Sequence, residues 1–403
     1  MAEGSPHPSF PAPGRRLRLG FVGGGEGALI GQVHANGARL SNRWEIVAGA
    51  LSSDPERARR SGAAWMLQPD RVYSDYAEMA RREAARPDGI DAVVIATPNN
   101  LHHPVAAAFM DAGIDIVSDK PLTTNLDDAL DLVARQRRSG VVFGVTYAYA
   151  AHVMVRQVRA MIRAGMVGEI RQIHVEYFQE WAIGLTDEGE GAPWRLDPAR
   201  VGPAFTASDI GTHAMHLASF ATGRDVEKVR AMFHVSGAPK KLEDTAFMHL
   251  RFAGGVPGTL MVSQAAAGTQ CGLRLRVFGT TGGLEWEQEN PEYVRYTPLD
   301  QPTQVIGRGY GAGMQEEAIR FVRMPRGHPE ALTDAWANLY TEMAVAIEAR
   351  RAGRALPEGL LAYPTVIDGA KGVAFVEAAI RSNAADGAWI DCRLPETTPV
   401  AAE

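Results

Sequence analysis

Along the first third of the chain, short apolar runs alternate with stretches in which apolar positions recur every three or four residues. The runs cover residues 17–22, 45–51, 92–97, 114–118 and 141–145. They are rich in Val and Ile and lack strict alternation, the pattern of parallel strands covered on both faces. Between the last two, Asn125 caps a predicted helix with Asp128 at its third position. Leu126, Leu130 and Val133 share one face of it, and Gly140 ends it. Further helices are predicted over 75–86 and over 104–112, where Pro104 suits a first turn. This succession predicts an α/β fold: a doubly wound parallel sheet over residues 17–145.

From residue 146 the pattern changes. A helix is predicted over 153–164, then longer strands over 169–179, 226–235, 245–252, 258–264 and 272–279. Gly254-Gly255 and Thr280-Thr281-Gly282-Gly283 read as turns between strands, and residues 184–194 as an exposed loop. Two helices close the chain, 330–351 with Leu332, Trp336, Leu339, Met343 and Ile347 along one stripe, and 366–382 capped by Thr365. Residues 146–403 are therefore expected to form a second, α+β domain around an open, mainly antiparallel sheet.

Composition narrows the function classes. The 403 residues are 46% hydrophobic and 22% charged, as in ordinary globular proteins. A net charge of -6 without a long basic block argues against a nucleic-acid partner. Cys271 and Cys392 stand far apart and outside any ligand spacing, so neither a disulfide framework nor a metal site is indicated. Residues 1–16 read as a flexible arm rich in Pro, Gly and Ser, and the apolar stretch after Arg15-Arg16 breaks at once into glycines. With no run of roughly 18 apolar residues there is no membrane span, and a cytoplasmic location is expected.

The candidate chemistry lies at strand ends. Gly23-x-Gly25-x-x-Ala28, followed by Leu29 and Ile30, joins the first strand to a helix and matches a dinucleotide fingerprint, in which glycines let a pyrophosphate approach helix-start amides. After the second strand, Ser52 and Ser53 precede Asp54, with Arg57 nearby; this leaves NADP open and favours NAD. Thr97, Pro98 and Asn99 end the third strand and line the expected crevice, with His102 just beyond. The adjacent His102-His103 pair reads as a helix start, not as metal ligands. Lys120-Pro121 follows the fourth strand, where an ammonium can transfer a proton or hold a substrate hydroxyl beside the nicotinamide. Asp209 and His213, four apart, fall on one face of a helix.

With Gly23-x-Gly25, Thr97-Pro98-Asn99, Asp119-Lys120-Pro121 and Asp209-x-Gly-x-His213 in this order, nearly the whole chain after the arm resembles the Gfo/Idh/MocA family of glucose-fructose oxidoreductase and inositol 2-dehydrogenase. The resemblance implies a Rossmann domain, then an α/β domain whose open sheet assembles homodimers or homotetramers. It also implies hydride transfer between NAD(P) and a secondary hydroxyl of a sugar, glycoside or cyclitol. The mechanism it implies has His213 as general base, Lys120 orienting the hydroxyl and Asp209 anchoring the substrate or steadying the charge, with the proton acceptor left between Lys120 and His213. Tyr149, Trp194 and Arg195 are further candidate substrate contacts. The chain departs from the family in having Asp119 for the usual Glu, Ala148 where an Asn or Arg is common, and a longer glycine loop before Gly31 and His34. Two other classes use the same site: an NAD-dependent glycosidase working by transient oxidation and elimination, and a cofactor-binding sensor without turnover. The joint presence of Lys120, Asp209 and His213 argues against the sensor.

Overall fold

A computed structural model describes Phe10, residues 14–188, 193–309 and 311–395. Most of the predicted arm and part of the loop 184–194 fall outside these residues. Three described arm residues make contacts: the Phe10 ring lies 5.8 Å from Phe321, Arg15 pairs with Asp91 at 2.6 Å, and Arg16 donates to the Asn42 side-chain oxygen.

The first unit runs β1 (Leu17–Gly23), α1 (Leu29–Leu40), β2 (Trp44–Ala50), α2 (Pro55–Ala64), α3 (Tyr76–Ala85), β3 (Ala92–Ala96), α4 (His102–Asp111), β4 (Asp115–Ser118), α5 (Leu126–Ser139) and β5 (Phe143–Val145). Its strands form one parallel sheet in the order β2-β1-β3-β4-β5. Every residue of β3 and β4 is buried, which is why these strands show no alternation. The ends of α5 follow the sequence reading, and the predicted helix over 75–86 has its first residue as the cap. Asn125 accepts from the Asp128 N–H, Asp75 from the Glu78 N–H, and Gly140 ends α5 with a left-handed φ of 66°.

The second unit runs α6 (Val153–Arg163), β6 (Ile170–Phe178), α7 (Pro198–Val201), α8 (Thr212–Thr222), β7 (Val226–His234), β8 (Thr245–Phe252), β9 (Val256–Ser263), β10 (Gly272–Gly279), β11 (Gly282–Glu287), β12 (Tyr293–Pro298), β13 (Gln304–Gly307), α9 (Glu316–Ile319), α10 (Leu332–Arg351), α11 (Val366–Ala384) and β14 (Ile390–Asp391). Nine strands form one sheet, β13-β12-β11-β10-β6-β9-β8-β7-β14, in which only the β6–β9 pairing is parallel. One face is covered by helices. In β8 buried and exposed residues alternate from Ala246 onward, as a one-sided sheet requires.

The last two long helices reach back to the first unit. Along α10, Trp336, Leu339, Tyr340 and Met343 are buried in the same apolar cluster as Leu19 and Phe21 of β1. Gly37 of α1 faces Trp336 so closely that an added Cβ would stand 2.8 Å from the Trp336 Cβ. The Trp44 indole N–H donates to the Tyr340 carbonyl at 3.0 Å. α11 divides its side chains between the two cores, with Val366 and Val373 in the first and Phe375 in the second.

One buried ion pair locks α10 to the second unit. Arg156 of α6 meets Glu342 through two hydrogen bonds, of 3.0 and 2.6 Å, with both side chains almost wholly out of solvent. Glu342 also accepts from the Ala362 N–H at 2.8 Å. Removing one partner strands a buried charge, so Arg156→Met should lower stability by about 3–5 kcal/mol, whereas pairing it with Glu342→Leu should recover most of that loss. Urea denaturation of the two variants checks this; equal losses would mean that stranded charge is not the dominant cost.

Candidate functional site

The turn after β1 is built for close approach. Gly23 has a φ of 78°, and a Cβ there would fall 2.5 Å from the Ala96 carbonyl. Further on, Gly31 meets the turn from α1, where a Cβ would lie 2.0 Å from the Gly24 oxygen. The close packing of helix on turn is thus made at Gly31, while Ala28 of the fingerprint is the N-cap of α1. No side chain caps this helix and its first turn carries no acid, so its leading amides can receive an anion. Leu29 is exposed there, and Ile30 is half-buried.

The enlarged loop is clasped by α2. The Glu26 N–H donates to the Ser61 hydroxyl (3.1 Å), its carbonyl accepts from the Arg57 guanidinium (2.5 Å), and its carboxylate meets Arg60 (3.1 Å). Arg57 therefore holds the loop. Asp54 is occupied as the cap of α2, accepting from the Arg57 N–H at 2.7 Å, and the Ser52 hydroxyl accepts from the Asp54 N–H at 3.1 Å. Ser53 is exposed.

Beyond β3, the Thr97 hydroxyl is buried without a hydrogen-bond partner among the described residues. With the glycine cradle it fits a nucleotide in the crevice, where a bound group can satisfy it. Pro98 leads into a short turn, and Asn99 donates to the Val201 carbonyl of α7 at 3.3 Å. His102 is buried behind the crevice, its ring nitrogens 2.7 Å from the Pro121 carbonyl and 3.0 Å from the Thr97 carbonyl, and so braces two loops. His103 instead faces Asp131.

After β4 the Lys120-Pro121 bond is cis. Asp119 Oδ1 accepts both from the Lys120 N–H (2.8 Å) and from the Thr146 hydroxyl (3.1 Å), which fixes the loop. Lys120 Nζ then crosses to the second unit and donates to Asp209 Oδ1 at 2.5 Å and to the Asp209 carbonyl at 2.8 Å. The other carboxylate oxygen, Oδ2, accepts from Gln264 Nε2 at 2.7 Å. Burial alone would raise the Asp209 carboxyl, but Lys120 and Gln264 outweigh it and hold it below its ordinary value.

Asp209 and His213 do not share an α-helix as their spacing suggested. Residues 207–211 form a π-helical turn that runs into α8, so the chain from Thr206 to Thr222 is one helix with a widened start. His213 is walled by aromatic rings, Tyr147 edge-on at 5.7 Å and Tyr149 at 4.9 Å. Its Nδ1 is buried and without a partner among the described residues. Burial first, and then the Lys120 charge, push its pKa well below the ordinary imidazole value.

The Tyr149 hydroxyl lies 2.6 Å from that of Tyr177 and 3.7 Å from the Cys271 thiol. Trp194 packs near Leu196, Val201 and Phe205, and the Arg195 guanidinium stacks over its ring at 4.7 Å. Sequence reasoning brought together Lys120, Asp209 and His213. It missed Gln264, Thr206 and Tyr177, whose roles arise from partners distant along the chain. The only local hint was that Gln264 stands at the end of a predicted strand.

Comparison with known proteins identifies the family of the chain. Residues 17–147 match the family described as "Oxidoreductase family, NAD-binding Rossmann fold", and residues 155–285 match the "GFO/IDH/MocA C-terminal domain". The chain is 33% identical over 384 residues to an uncharacterized oxidoreductase, YfiI, of Bacillus subtilis, covering 93% of this chain and 96% of that one. An oxidoreductase structure from Sinorhizobium meliloti is 42% identical, with a TM-score of 0.83 over 93% of this chain and 99% of the other. An inositol dehydrogenase homolog from Azotobacter vinelandii, complexed with NAD+, is 36% identical with a TM-score of 0.88 over 94% and 98% of the two chains. The chain belongs to the Gfo/Idh/MocA family of oxidoreductases, with an NAD-binding Rossmann domain followed by the family's C-terminal domain.

Proposed function

We propose that this protein is an NAD-dependent dehydrogenase that oxidises a ring CH–OH of a cyclitol or a similar cyclic polyol to the ketone. The observation that carries this reading is that Lys120, just beyond β4, is bonded to Asp209, and that both lie near enough to His213 for their charges to act on it. A cyclitol is favoured because the structure of the inositol dehydrogenase homolog complexed with NADH and myo-inositol is 35% identical, whereas the levoglucosan dehydrogenase structures are 20–21% identical.

Gly23, Gly25, Ala28 and the first amides of α1 would hold the NAD pyrophosphate, with Thr97, Pro98, Asn99 and Pro121 along the rest of the crevice. Bound NAD supplies the hydride acceptor. Lys120, steadied by Asp209, donates a hydrogen bond to the reacting hydroxyl and fixes its direction. His213, neutral and turned edge-on by Tyr147 and Tyr149, takes the hydroxyl proton on Nε2. Tyr149 borders the ring, and Trp194 and Arg195 stand further out. Two free cysteines, Cys271 and Cys392, accord with a cytoplasmic setting. The outer face of the nine-stranded sheet exposes Met232, Phe247, Phe278, Tyr293 and Val305, and we assign this face to a homodimer or homotetramer.

Mixed with NAD and a panel of inositols and sugars, the protein should produce reduced nicotinamide absorbance with a cyclitol. Lys120→Ala should lower kcat/KM by roughly 10^2 to 10^4 while leaving NAD binding intact. A variant of unchanged rate would remove Lys120 from the reaction.

The neutral form of His213 is the competent one, and its lowered pKa keeps it neutral as pH falls. The final acid loss of kcat/KM should therefore lie below the ordinary histidine value of about 6.5. A profile that falls to zero at or above that value excludes His213 as the base.

Phe247→Asp should shift the particle mass measured by light scattering toward the monomer; an unchanged oligomer would place the interface elsewhere.

A further inference from the structure

The helix that carries both Asp209 and His213 starts inside the protein, where its leading amides have no acceptors of their own. One residue supplies three. Glu243 Oε2 accepts from the Phe205 N–H at 3.1 Å, Oε1 from the Ala207 N–H at 2.9 Å, and the Glu243 carbonyl from the Thr206 N–H at 3.4 Å. Thr206, held this way, donates its hydroxyl to Gln264 Oε1 at 2.7 Å, and Gln264 passes the constraint on through Nε2 to Asp209 Oδ2. Glu243 is 6% exposed and Gln264 is fully buried.

We propose that Glu243 is a positioning residue for the reaction, which sets the start of the helix and, through Thr206 and Gln264, aims the Asp209 carboxylate at Lys120. It touches neither the reacting atoms nor the nucleotide crevice, and its kinetic effect rests on the function proposed above.

Among the described residues no cation pairs with Glu243, and Lys241 nearby is exposed and turned to Asp187 at 4.0 Å. On its own loop, Asp244 is taken up by Lys240 at 2.7 Å and by the N–H groups of Ser236 and Gly237. On the helix, Asp209 is engaged by Lys120. The neighbouring cluster of Leu196, Val201, Phe205 and Leu242 is apolar. Burial raises the Glu243 carboxyl to about 7, against the pull of the two amides and with the help of the Asp244 charge. A protonated carboxyl has one good acceptor oxygen left, so the helix start is held less firmly below neutrality.

The test compares wild type with Glu243→Gln and Glu243→Asp in kcat against pH and in amide hydrogen exchange. Wild type should step down near pH 7 to a lower plateau, ahead of the final loss through His213. Glu243→Gln should lose that step, with kcat lowered on the order of tenfold at all pH and the KM for NAD unchanged. Glu243→Asp, still ionisable, should keep a step. At pH 8, Glu243→Gln should exchange faster in peptides covering 203–213 and as wild type in peptides of β10 and β11. The proposal is overturned if Glu243→Gln keeps the wild-type kcat and pH profile, or if exchange quickens across the whole second sheet. If no polyol is oxidised, the proposed function fails while the exchange measurement still decides the role of Glu243.

Discussion

The ion pair between Lys120 and Asp209 is the contact around which the two units are arranged. It joins the loop after β4 of the parallel sheet to the helix that covers the antiparallel one, 89 residues later. An ammonium and a carboxylate partly withdrawn from water are costly unless their remaining valences are met. Here those of the carboxylate are met: Asp209 accepts from Lys120 through a carboxylate oxygen and its own carbonyl, and its other oxygen accepts from Gln264. The pair is still open enough to solvent, with 14% of the lysine side chain and 34% of the aspartate exposed, for a substrate hydroxyl to join it.

A pair that spans two units stays aligned only if the units do not drift. Helices α10 and α11 provide that restraint. Each follows β6–β13 of the second sheet in sequence and packs into the first core, and the buried Arg156–Glu342 pair ties α10 to α6. The restraint therefore combines apolar burial, which is indifferent to orientation, with a two-bond guanidinium–carboxylate contact, which is not. Reaction geometry at Lys120 is in this sense a property of helices more than 200 residues further along the chain.

This distribution explains what could be read from the sequence. The five parallel strands, the cap at Asn125, the glycine turn and the Lys120, Asp209 and His213 trio are carried by local pattern, so they were legible. Strands β11, β12 and β13 were not, being four to six residues long and opening on Gly282-Gly283 in one case. Their conformation is imposed by pairing with β10 and with one another. The docking of α10 on α1 was hidden too, because a stripe of apolar residues says that a helix is covered, not by what. The spacing of Asp209 and His213 read as α-helical because a π turn leaves no mark in hydrophobic period.

The orientation of Gln264 shows how a residue invisible to such reading can control the site. An amide side chain can present either its oxygen or its nitrogen, and its own energetics hardly choose between them. The Thr206 hydroxyl has an acceptor of its own in Gln264 Oε1, so the amide nitrogen is left to face Asp209. Reversing the amide would set its oxygen against the carboxylate and strip Asp209 of a donor, whereas the Thr206 hydroxyl could turn to accept the N–H, so the carboxylate is what fixes the amide. Asp209 thus meets donors on both oxygens and stays ionised. An ionised Asp209 keeps the Lys120 ammonium in place, and that ammonium in turn disfavours a second positive charge on His213. Burial comes first in keeping the His213 imidazole neutral, and the ammonium that this chain of contacts holds in place adds to it, against the opposite pull of the Asp209 charge.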